Sequence, residues 1–77
     1  MEVNIFRGTG RVFGFTTDSA GENLPKQYGP WTALKTLEMT RGEARPGVEV
    51  DECLDDIEAA GYHLTDAHVR IPVAHTP

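Results

Sequence analysis

The chain is 77 residues long, with 12 acidic and 7 basic side chains, a formal net charge of −5 and 39% apolar residues. This is the composition of one small folded domain; a disordered tail would carry more charge and fewer large apolar groups. A chain of this size buries only about 60% of its unfolded surface, which leaves no room for both a core and a deep, enclosed active site.

The N-terminal segment predicts a β-hairpin. Val3 to Phe6 and Arg11 to Thr17 are rich in β-branched and aromatic residues, and Arg7-Gly8-Thr9-Gly10 between them supplies a turn that needs positive φ. On the second strand Phe13 and Phe15 share one face, while Val12, Gly14 and Thr16 share the other. Gly14 carries no side chain, so something large can pack over it.

Asp18 to Pro30 is a thirteen-residue polar loop, pinned to the body by Leu24, Tyr28 and Trp31. Trp31 to Thr40 reads as a strand, with Trp31, Ala33, Leu37 and Met39 on one face and the β-branched Thr32, Thr36 and Thr40 on the other; Trp31, Leu34 and Leu37 also fit a helix begun by Pro30. Gly42 to Gly47 is a turn-rich connector. Asp51 to Ala60 is the clearest helix: Val50, Cys53, Leu54, Ile57, Ala60 and Gly61 form an apolar stripe, acids occupy the first turn, and Gly61 stands where a left-handed residue ends a helix. Ala67, Val69 and Ile71 then alternate with Asp66, His68 and Arg70 as a half-buried strand. The expectation is a single α+β domain over residues 1–72 with a frayed tail at 73–77. Its sheet has three to four mainly antiparallel strands and one amphipathic helix packed on one face, in the order β-β-β-α-β.

Cys53 is the only cysteine, which excludes an intramolecular disulfide and a multi-cysteine zinc site. With no apolar span and no signal peptide after Met1-Glu2, the expected location is the cytoplasm. His63, Asp66, His68, His75 and Cys53 offer at most a two-ligand pair on one regular element, so no metal or other cofactor is expected. No serine, histidine and acid arrangement stands out either, so the chain is not expected to be an enzyme.

Charge divides the chain. Residues 1–45 carry a net +1, and residues 46–77 carry only Arg70 against seven acids. Six acids fall between Glu49 and Glu58, and Asp51 with Asp55 and Glu52 with Asp56 are like-charge i,i+4 pairs that weaken a helix. Asp51, Glu52, Asp55, Asp56 and Glu58 are therefore the candidate contact residues of an interaction module whose partner is a protein with a basic surface. A domain this small also leaves a strand edge on which a second copy could pair.

The segment Arg11-Val12-Phe13-Gly14-Phe15-Thr16-Thr17 resembles the ribonucleoprotein motif of RNA-recognition and cold-shock domains. The likeness covers residues 11–24; Val12 stands where the motif has glycine, and the second aromatic strand has no counterpart. It implies an alternative function, single-stranded nucleic-acid binding, with bases stacked on Phe13 and Phe15 and with Arg11, Lys26 and Trp31 nearby.

Overall fold

The computed structural model describes residues 1–45, 49–66 and 69–71, with Val69 and Arg70 in backbone only. Among the described residues, five strands form one antiparallel sheet in the order β3-β1-β2-β4-β5: β1 (Glu2–Arg7), β2 (Val12–Thr16), β3 (Thr32–Glu38), β4 (Tyr62–Asp66) and β5 (Val69–Ile71). An α-helix, α1 (Val50–Ala60), packs on one face. The α+β class and the β-β-β-α-β order read from the sequence are those of the structure, with a further short strand after β4.

The hairpin forms as its glycines dictate. Gly8 N–H donates to the Val12 carbonyl at 2.8 Å, and Val12 N–H closes the turn on Thr9 at 3.1 Å, with Gly10 at φ 63°. Register then places Ile5 opposite Phe15 and Phe15 opposite His63, so Val3, Ile5, Phe13, Phe15 and His63 share the helix face. Val50, Cys53, Leu54 and Ile57 of α1 meet Val3, Ile5, Phe15 and Met39 there as one core. The helix ends at Gly61, whose φ of 93° suits glycine and whose N–H donates to the Ile57 carbonyl at 2.8 Å.

The other face is covered by the loop before β3. Leu24 packs with Phe6 and Leu64, flanked by Tyr28, Trp31, Tyr62 and Ile71. Trp31 Nε1 donates to the Pro25 carbonyl at 2.9 Å, and Thr9 donates from its N–H to Tyr28 O and from its hydroxyl to Gly29 O. This close approach relies on Gly14: a Cβ there would lie 2.8 Å from a Leu24 methyl carbon and 3.1 Å from the Trp31 ring. The small sheet therefore buries apolar groups on both faces, one under a helix and one under a loop.

Two expectations need correction. Ala33 and Leu37 do not share a face, because an irregularity between Ile5 and Phe6 pairs Ile5 with Lys35 but Phe6 with Ala33. A bulge at Leu34 thus reverses the alternation midway along β3. The last strand also begins earlier than the alternation from Asp66 suggests: β4 starts directly after Gly61, and β5 pairs with it as a hairpin. The expected tail at 73–77, and residues 67, 68 and 72 of the expected last strand and its end, lie outside the described residues.

Candidate functional site

The acidic helix is the most strongly one-signed feature of the sequence, and the structure sorts its carboxylates into different environments. Asp51, Asp55 and Glu58 are exposed on the outer face of α1, and Glu52 is half-buried. Asp56 is a correction: its residue is 0% exposed, and its Oδ2 lies 2.7 Å from Nδ1 of His63, itself 2% exposed. The carboxylate accepts from the imidazole N–H, so Asp56 ties α1 to β4 from inside the core and is no part of an outward contact surface. Phe15 meets the imidazole edge-on, with ring centroids 5.3 Å apart.

Cys53 sits one helical turn before Asp56 and is 0% exposed. Burial, with a smaller contribution from the Asp56 charge, pushes its thiol up to about 12, so it is a neutral core side chain at ordinary pH. Native protein should therefore react with a soluble thiol reagent only as fast as it opens, and denaturant should release the full rate; fast reaction in buffer would refute this placement. The same shift gives a sign for alkaline pH. The unfolded thiol loses its proton near 9.0 while the folded one keeps it, so stability should fall as pH rises from about 9 towards 12.

The turn after β3 reaches back onto the outer face of the helix. Arg41 places Nη1 at 2.8 Å from Asp55 and Nη2 at 2.7 Å from Glu58, and Gly42 N–H donates to Asp51 at 2.8 Å. The hydrogen bonds to Glu58 and Asp55 push the Arg41 guanidinium further up from its ordinary value. All five residues are exposed, with the Asp55 and Glu58 side chains 64% and 59% exposed. Beside them, a cleft of about 230 Å³ lies between residues 42–45 and the start of α1, lined by Glu43, Arg45, Glu49 and Asp51 among others.

The nucleic-acid candidates are not brought together. Phe13 and Phe15 point to the helix side of the sheet, Phe15 is 5% exposed in the core, and Phe13 packs against the same cluster. Trp31 lies on the opposite side, over Gly8 and Gly14, while Arg11 and Lys26 are exposed. Base stacking on both phenylalanines requires exposure that Phe15 does not have. Of the metal candidates, His63 is in the core, Asp66 is exposed, and His68 and His75 are outside the described residues. No group of three metal-ligating side chains occurs among the described residues.

The pairing of Asp56 with His63 and the return of Arg41 to the helix leave no direct trace in the sequence. For Asp56 a signal did exist. A helical wheel places it beside Cys53 and Ala60, on the opposite flank of the apolar stripe from Asp51, Asp55 and Glu58. Comparison with protein-family models, with curated proteins and with solved structures finds no match to this chain. No helix among the described residues is long and apolar enough to cross a membrane.

Proposed function

We propose that this chain is a non-catalytic interaction module that meets a basic surface of a partner protein through the outer face of α1. The observation that carries the proposal is the run of exposed carboxylates, Asp51, Asp55 and Glu58, along a helix whose opposite side is fully committed to the core. Such a field steers a cationic partner and repels polyanions. Two further points support a binding role over catalysis. Cys53, Asp56 and His63, three groups suited to proton transfer or nucleophilic attack, are each 2% exposed or less. Asp55 and Glu58 already hold a guanidinium in the chain's own Arg41, which displays the contact a partner arginine would make.

The test is a partner pull-down by crosslinking, followed by titration of each captured protein at two salt concentrations. Asp51→Asn, Asp55→Asn and Glu58→Gln together should abolish the salt-sensitive part of binding. Arg41→Ala should strengthen it, since it removes the internal competitor. Binding that survives the triple change undiminished would reject the helix face as the contact. Asp56 is left intact throughout, because its loss would disturb the core.

A further inference from the structure

We infer that Arg45 is an edge guard, whose guanidinium keeps β3 from pairing with β3 of a second copy of this chain. β3 is an edge strand, and six of its seven residues are exposed, Leu34 to 50%. Which of its backbone groups point outward follows from the hydrogen-bonding parity. Met39 N–H donates to Met1 O at 2.8 Å, so with i + j constant at 40 along the pairing of β1 with β3, the backbone groups of Leu37 and Lys35 point to β1. Those of Thr36 and Glu38 therefore point outward, away from the sheet.

The outward edge is self-complementary in one register. A two-fold centred on Lys35 would set lysine against lysine, and one centred on Glu38 would set glutamate against glutamate. One centred on Thr36 needs Leu34, which the bulge takes out of line. A two-fold centred on Leu37 pairs Thr36 with Glu38 of the second copy and Glu38 with its Thr36. That makes four backbone hydrogen bonds and sets leucine against leucine on the helix face.

Arg45 blocks this register. Its Nη2 donates to the outward carbonyl of Glu38 at 2.9 Å, and its Nε lies 3.2 Å from Glu43, whose other carboxylate oxygen accepts from Thr40 N–H at 2.6 Å. The turn after β3 thus folds a braced cation over the acceptor that a second strand needs. Lys35 and the bulge guard the first half of the strand, and Arg45 guards the second.

Arg45→Ala frees one carbonyl on each copy, so two more hydrogen bonds can form across the two-fold. The self-association constant should rise about five- to a hundredfold, read by sedimentation velocity up to the millimolar range. Glu43→Ala, which removes the brace and leaves the arginine, should give a smaller rise in the same direction. Thr36→Pro removes an outward backbone donor and no backbone bond to β1, losing there only the exposed hydroxyl bond to Asn4 Oδ1 at 2.7 Å, so it should return Arg45→Ala to monomer while the circular dichroism spectrum stays native. The inference is overturned if Arg45→Ala and Glu43→Ala associate no more than the parent chain, or if the Arg45→Ala dimer is indifferent to Thr36→Pro.

Discussion

Asp56→Ala is expected to lose about 3–5 kcal/mol of stability, the usual consequence of removing one partner from a buried, hydrogen-bonded pair. The substitution leaves the His63 imidazole, 2% exposed, without the carboxylate that accepts its Nδ1 proton at 2.7 Å. A chain of 77 residues has a total stability of about 4–12 kcal/mol, so the substitution removes a quarter of it or more. Asp56→Asn keeps an oxygen that can accept the same proton and should lose less. The informative control removes both polar groups. Asp56→Leu with His63→Phe should be more stable than Asp56→Ala alone, because no buried donor is stranded. Urea midpoints of the four proteins check this. An Asp56→Ala midpoint equal to that of the parent would show that the pair does not hold α1 to β4.

That pair also marks where sequence reasoning stops. The hairpin, the helix and its termination at Gly61 were legible because each has a local cause: turn glycines, an apolar stripe, a left-handed residue. The role of Leu24, Tyr28 and Trp31 was legible too, since large apolar groups in a polar loop need somewhere to pack, and Gly14 offered the space. β4 was hidden by its own burial. His63 and Thr65 point under the helix and Leu64 under the loop, so a strand covered on both faces shows no alternation of polar and apolar residues. Asp56 is hidden only while the acids are read as one run, for Asp55 and Asp56 look alike until a helical wheel sets them on opposite flanks of the apolar stripe. Their fates differ because α1 turns one towards His63 and the other towards Arg41. The face reversal at Leu34 was not legible for a further reason: a bulge is a property of a strand pair, and neither strand alone records the other's register.

Gly8→Ala should separate the two layers that meet at the hairpin end of the sheet. A Cβ at position 8 would collide with the carbonyl oxygen of Tyr28 and lie 2.8 Å from Cζ3 of Trp31. The carbonyl cannot easily retreat, since it accepts the Thr9 N–H at 2.7 Å and the neighbouring Gly29 carbonyl accepts the Thr9 hydroxyl at 2.7 Å. Either the loop lifts and those two bonds lengthen, or β1 shifts against β2; overpacking of this kind loses about 1–3 kcal/mol. Gly14→Ala provides the comparison. Its nearest neighbours are Leu24 methyls and the Trp31 ring, side-chain groups that can move by a few tenths of an ångström, so its loss should be smaller. Trp31 is the only tryptophan and sits over both glycines, so its fluorescence reports the event directly. In Gly8→Ala the emission should shift to the red before the global urea transition, as the loop loosens ahead of the helix face. In Gly14→Ala the two should stay together. A single coincident transition at the parent midpoint in Gly8→Ala would mean that the loop is not held by this contact, and that Leu24 alone fixes it over the sheet.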